Sequence, residues 1–307
     1  MDWQCQAWNG KGRKMTNNLN GKTIIVTGAN SGIGKAAAVQ LAVLGADVVM
    51  ACRSLERGQH ALEEVKQTSG SERVELMQLD LASQKSIRAF AEEFKKTHKR
   101  LDVLIHNAAN FDKTINKPVL TGEGVETIFA TNHVGPFLLT GLLLDLLKKS
   151  APSRIITVSS KGLLVYPNLG MEFDNLNGER KFSGQHAYFL SKQAQVMFTY
   201  ALAEKLKGSG VSVNCVRVTS VAVAAERLSN LPKWMQKLYD LKRKMSISPE
   251  KQAETYTFLA ADAAGKETTG GYWDENNQQV RSNKLSYDRD LQNRLWQESE
   301  RLAGIKY

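Results

Sequence analysis

Tyr188 and Lys192 stand four residues apart, the spacing that puts two side chains on one face of a helix. A tyrosine at its ordinary pKa near ~10 is a slow proton donor or acceptor at neutral pH, and an ammonium beside it stabilises the phenolate and draws that pKa down. The pair therefore suits a reaction in which hydride reaches a carbonyl carbon while a proton reaches its oxygen. On its own it says little: with eight tyrosines in the chain, about one Tyr-x-x-x-Lys is expected by chance, and an exposed helix pair would explain it. Position adds weight, because the pair opens the predicted helix between the fifth and sixth strands, downstream of a glycine-rich turn. Ser160 closes the run Arg154-Ile-Ile-Thr-Val-Ser-Ser at the C-terminal end of the fifth strand, the edge where α/β sheets bind ligands. Its hydroxyl can donate to an oxygen that is gaining charge. Ser159 competes for that role, and alternation along the strand favours Ser160.

The glycine-rich turn lies in Thr23-Ile-Ile-Val-Thr-Gly-Ala-Asn-Ser-Gly-Ile-Gly-Lys, with Gly28, Gly32 and Gly34 between a predicted strand and a helix. Glycines let the backbone turn tightly and approach a pyrophosphate, whose charge is favoured by the N–H groups and positive end of the helix that follows. A glycine cluster alone is an ordinary turn; strand, turn and helix in succession make it a nucleotide-binding signature. Other chemistries find no support. His60 and His98 lie in charged helical stretches and His186 precedes Tyr188, so no spaced set of metal ligands forms. No Gly-x-Ser-x-Gly elbow of a hydrolase occurs.

The spacing Thr-Gly-x-x-x-Gly-x-Gly, with Ser160 and the Tyr188–Lys192 pair, resembles the short-chain dehydrogenase/reductase family from about residue 20 to near the C-terminus. Within it the chain looks most similar to retinol-dehydrogenase-like and WW-domain-oxidoreductase-like members, through GKTIIVTGANSGIGK, DVVMACRSLERG, TNHVGPFLLT, RIITVSSKG and HAYFLSKQAQVMFTYALAEKL. The resemblance implies a catalytic set of Asn132, Ser160, Tyr188 and Lys192, with Asn132 helping to hold Lys192 and a relay water. It implies that Gly28, Asn30, Ser31, Gly32, Ile33 and Gly34 cradle the cofactor phosphates, and that Asp80, Leu81, Asn107 and Ala108 contact the cofactor beyond them, with Tyr188 and Lys192 at its reactive end. Arg53 follows the second strand, where relatives that prefer NAD carry an acid; a guanidinium there pairs with a 2′-phosphate, so NADP(H) is expected ahead of NAD. A solvated loop arginine is the alternative. The run His106-Asn107-Ala108-Ala109 replaces the family's Asn-Asn-Ala-Gly. After the sixth strand, Val216-Arg217-Val218-Thr219-Ser220 lacks the Pro-Gly that helps shape the nicotinamide pocket.

These residues need a scaffold, and apolar runs near 22–27, 46–52, 73–79, 101–106, 152–159 and 211–218 alternate with amphipathic stretches. That pattern predicts one α/β domain over 19–307, a doubly wound parallel sheet of Rossmann type. Trp234, Leu238, Leu241 and Met245 recur at helical spacing opposite Lys237 and Arg243, and in family position this predicts a helical substrate lid over a small, apolar carbonyl or alcohol. Residues 1–18 read as a structureless extension, with Met15 as an alternative start. The formal charge of +10 is spread among acids, as in Glu92, Glu93, Lys95 and Lys96, which argues against nucleic acid. Three scattered cysteines, no apolar leader, and apolar runs broken short of the ~18 residues of a membrane span point to a cytoplasmic protein without an integral membrane segment. Homo-oligomerisation stays open.

Overall fold

The computed structural model describes residues 18–112, 114–221 and 246–307. The stretch Leu231–Met245 read as a lid, and the extension before Asn18, lie outside the described residues. Among the described residues seven strands form one sheet: β1 (Thr23–Thr27), β2 (Asp47–Cys52), β3 (Val74–Gln78), β4 (Val103–His106), β5 (Ser153–Ser160), β6 (Val211–Val218) and β7 (Gly271–Trp273). Their order is β3-β2-β1-β4-β5-β6-β7, and every pairing is parallel. The order reverses between β1 and β4. Beyond the strand C-termini at such a switch point the flanking connections splay apart and leave a crevice.

Both sheet faces are covered, which is why the strands read as nearly continuous apolar runs. Along β1, Ile24 and Val26 face one core while Ile25 faces the other. The first core is completed by α1 (Gly32–Val43), α2 (Leu55–Ser69) and α6 (Pro249–Ala261), and the second by α3 (Gln84–Thr97), α4 (Thr127–Lys149), α5 (Gly184–Lys205) and α8 (Arg289–Ala303). The short α7 (Ala263–Glu267) leads into β7. Small residues dominate α1, where Ala37, Ala38 and Leu41 are fully buried, so this helix packs close to the sheet. Phe94, Phe129 and Phe137 anchor the opposite core, and full burial of an apolar side chain contributes about 1.5–3 kcal/mol.

Among the described residues α4 is the one helix long and apolar enough to cross a membrane, and 78% of its most apolar window is buried inside the fold. The expectation that apolar runs stop well short of such a length is corrected here: Gly135, Gly141 and Asp145 do not break the helix, because its faces are covered by α3, α5 and α8. Glu126 starts it. The Glu126 carboxylate is fully buried and accepts from the Ile128 and Phe129 N–H groups, each at 2.9 Å, satisfying two of the donors that a helix start leaves open. Burial pushes this carboxyl above its ordinary value, against the pull of those N–H groups.

Candidate active site

The turn after β1 is shaped by close approach. A Cβ on Gly28 would lie 2.8 Å from Ala108 Cα, and one on Gly34 would lie 2.4 Å from Asn107 Nδ2 and 2.6 Å from Gly28 O. Gly32 differs: its φ is +57° and a Cβ there would meet nothing within 4 Å, so it borders open space. Asn107 locks the turn from β4, donating through Nδ2 to Thr27 O at 2.9 Å, while Ala108 N–H donates to Thr27 Oγ1 at 3.0 Å. The Ser31 side chain makes no cap bond to the start of α1, and Ser31, Gly32 and Ile33 all border the crevice.

A cavity of about 1280 Å³ opens over this turn. Gly28, Asn30, Ser31, Gly32 and Ile33 line it, as do Arg53, Asp80, Leu81, Asn107 and Ala108; Gly34 lies behind the turn as packing. At one end stand Arg53 and Arg57, placed by the start of α2, where Ser54 accepts from Arg57 N–H. Lys35, also in the wall, is engaged by Glu64. Asp80 turns its own loop, accepting from Ala82 N–H at 2.9 Å. The residues present fit a dinucleotide: an uncapped helix start over an open glycine for phosphates, and arginines where a further phosphate would lie.

At its other end the cavity reaches Asn110, Thr131 and Val221. Asn132 stands one residue on from Thr131, inside a π-helical turn of α4, Ala130–Val134. Its Oδ1 accepts from Asn110 N–H at 2.6 Å, and its Nδ2 donates to Asn110 O and to Ser191 Oγ, both at 2.9 Å. Gln195 donates to the Asn132 carbonyl. Asn132 thus ties the loop after β4 to α5, beside the reactive pair, and Lys192 takes a different partner: its Nζ donates to Val158 O at 3.0 Å.

Tyr188 and Lys192 share a face of α5, with Nζ 5.6 Å from the phenol ring centre. Burial sets both. It pushes Tyr188 up to about 12, while a hydrogen bond with Ser160 pulls the other way, and it brings Lys192 down to about 8. At neutral pH the phenol keeps its proton and the lysine is mostly an ammonium. The two serines divide as alternation requires. Ser159 is buried and donates to Lys192 O at 3.0 Å, whereas Ser160 accepts from Gly162 N–H at 3.1 Å and stands beside Tyr188.

Three residues of this region escape a reading of spacing. Phe111 is 52% exposed, and its ring centre lies 4.3 Å from that of Tyr188. Arg57 joins Arg53 at the far end. Tyr256, fully buried on α6, donates to Asn107 Oδ1 at 3.3 Å. Only Arg57 left a trace, four residues after Arg53 at a helix start. Among the described residues no cluster of three metal-ligating side chains occurs.

The short chain dehydrogenase family profile matches residues 22–171. The chain is 36% identical over 301 residues to human retinol dehydrogenase 14, covering 94% of this chain and 88% of that protein. It is 41% identical over 258 residues to mouse retinol dehydrogenase 11, covering 84% and 78%. Among solved structures, a protein from Mycobacterium paratuberculosis matches at 26% identity with a TM-score of 0.72, covering 98% of both chains. A short chain dehydrogenase from Escherichia coli CFT073 complexed with NADPH shares the fold at 24% identity and a TM-score of 0.65, over 84% of this chain and 98% of that one. With its parallel sheet, glycine turn and Tyr188–Lys192 face, the chain belongs to the short-chain dehydrogenase/reductase family and is an NAD(P)-dependent oxidoreductase acting on CH–OH groups.

Proposed function

We propose that the protein reduces the carbonyl of a small, apolar aldehyde or ketone with NADPH, Tyr188 giving the proton. The observation that carries this reading is the half-buried Tyr188 with Ser160 and Lys192 around it, close to a cavity that reaches Asn110 and Thr131 and whose far end holds two arginines. Arg53 and Arg57 would hold the 2′-phosphate, and the turn from Gly28 to Gly34 the pyrophosphate. The E. coli relative in complex with NADPH supports the same choice of cofactor. Bound there, the nicotinamide cofactor supplies hydride to the carbonyl carbon.

This chain's own groups handle the oxygen. Ser160 donates a hydrogen bond to it, Tyr188 transfers its phenolic proton as negative charge develops, and the Lys192 ammonium stabilises the phenolate left behind. Asn132 positions Lys192 indirectly, through Ser191 and the loop at Asn110. Phe111 lies against the phenol and keeps water from one face of it, which helps hold the proton in place until a substrate accepts it. Exposed apolar side chains, Phe111 against Tyr188 and Leu164 and Val165 in the turn after Ser160, all more than half exposed, favour an apolar substrate. The retinol dehydrogenase relatives are consistent with that class.

The test is turnover of NADPH and of NADH against a panel of aldehydes and ketones of increasing chain length. NADPH oxidation that rises with the apolar length of the substrate is expected. No oxidation of either cofactor across the panel refutes the reading and leaves a cofactor-binding protein that has lost turnover.

A further inference from the structure

The backbone leaving β6 forms the cavity wall at its reactive end through Val221, and it does so without the glycine and proline expected there. Thr219-Ser220-Val221 is instead held to the segment that enters α6. Thr219 N–H donates to Gln252 Oε1 at 3.0 Å. Ile247 N–H donates to Ser220 O at 3.0 Å, the Ser220 and Ser246 hydroxyls lie 2.9 Å apart, and Val221 bridges Ile247 in parallel. Of these ties, that of Gln252 is made by a side chain with no exposure at all.

Burying an amide is unfavourable unless both its ends are paired. Gln252 Oε1 has its donor, but Nε2 has no acceptor among the described residues. Leucine or methionine would fill the volume on a core-facing helix position without leaving a donor unpaired. The polar end therefore stabilises something other than the core, and what it touches is the N–H of the strand exit. We infer that Gln252 is a positioning residue that sets the Thr219–Val221 wall where the nicotinamide end of the cofactor lies, taking the place of a Pro-Gly turn. This rests on the cofactor reading above.

The inference separates the two ends of the cofactor. Gln252→Met keeps the side-chain volume and removes the acceptor for Thr219 N–H. Measured by calorimetry, NADPH should bind the variant about tenfold more weakly than the parent, a loss expected for one hydrogen bond. The fragment 2′-phospho-ADP-ribose, which lacks nicotinamide, should bind both within about twofold. Unchanged NADPH affinity, or an equal loss for NADPH and fragment, overturns the assignment. A second measurement needs no variant: in the parent, hydrogen exchange across 219–221 should slow with NADPH and not with the fragment. Equal slowing by both, or none by either, also overturns it. If the parent binds neither NADPH nor the fragment, the cofactor reading itself has failed; if it binds both and Gln252→Met changes nothing, only Gln252 loses its role.

Discussion

The two ends of the crevice are built from different materials. At the phosphate end the working parts are backbone: a left-handed Gly32, the uncapped first turn of α1, and glycines packed so closely that a methyl group would collide with Ala108 or Asn107. The charged side chains there, Arg53 and Arg57, stand at the cavity rim. At the reactive end the working parts are side chains sunk in the fold, with Lys192 and Asn132 each only 2% exposed. A phosphate brings its own charge, so an open lattice of N–H groups suffices to receive it. Proton transfer needs its groups held in a fixed geometry, and the burial that fixes them also moves Tyr188 up and Lys192 down from their ordinary values, so the lowering of Tyr188 expected from Lys192 is outweighed by burial.

This contrast can be broken most directly at the reactive end. Tyr188→Phe removes the proton donor alone, and turnover should fall by about 10²–10⁴ while the affinity for NADPH stays within about threefold; retention of near-parental turnover would displace Tyr188 from its role. At the phosphate end, Arg53→Asp removes a cation and adds an anion. The preference for NADPH over NADH should shrink or invert by about ten- to a hundredfold, with the maximal rate on the better cofactor largely kept. Equal affinities for the two cofactors in the parent, unchanged in the variant, would make Arg53 a solvated loop residue.

A finer test asks whether the backbone turn is as unforgiving as its contacts suggest. Gly34→Ala places a methyl group against Gly28 O and Asn107 Nδ2, and a clash with backbone cannot be relieved by a rotamer change. Destabilisation of about 1–3 kcal/mol, read as a lower denaturation midpoint, should accompany weaker NADPH binding. Gly32→Ala, which meets only open space, should lose less by the strain of its positive φ alone; equal losses in the two would deny the difference.

The most gradual effect, spread over pH, concerns two buried histidines on the α4 side of the sheet. His106 and His133 are held down to about 3 by burial, against an ordinary value near 6.5. As pH falls below 6.5 the unfolded chain takes up protons that the folded one refuses, so their contribution to stability is complete above that value and declines toward pH 3. Between pH 6.5 and 5, before most carboxylates titrate, the unfolding free energy read by urea titration should fall by roughly 1 kcal/mol per pH unit for each histidine. His106→Gln with His133→Gln should flatten that slope, and a parent whose midpoint is level from pH 7 to 5 would contradict it.

The parts legible in the sequence were those written in local spacing. Six strands announced themselves as apolar runs, the glycines by their place between a strand and a helix, and Tyr188 and Lys192 by their position downstream of that turn. Ser160 was separable from Ser159 because a strand alternates. β7 was missed since Gly271–Trp273 is three residues long and pairs with one strand, β6. Gln252 and Tyr256 were missed for a different reason: each matters through one polar contact to a residue 33 or 149 positions away, and no periodicity records that. The apolar stretch along α4 was read as broken short of a membrane span because glycines and Asp145 look like interruptions until α3, α5 and α8 cover them.

The π-helical turn at Ala130–Val134 bears on how such chains are aligned and engineered. A turn of this kind holds one residue more than the regular helix around it, and each residue of an α-helix advances the azimuth by about 100°. Removing one residue from the turn would restore a regular helix and leave both Gly135–Lys149 and the helix start near their present phase, yet displace the residues inside the turn, Asn132 among them, around the axis. The turn takes up one residue that neither flank of the helix registers. A gap placed there in a comparison of sequences is therefore a statement about function, since it decides whether the asparagine still meets the loop at Asn110.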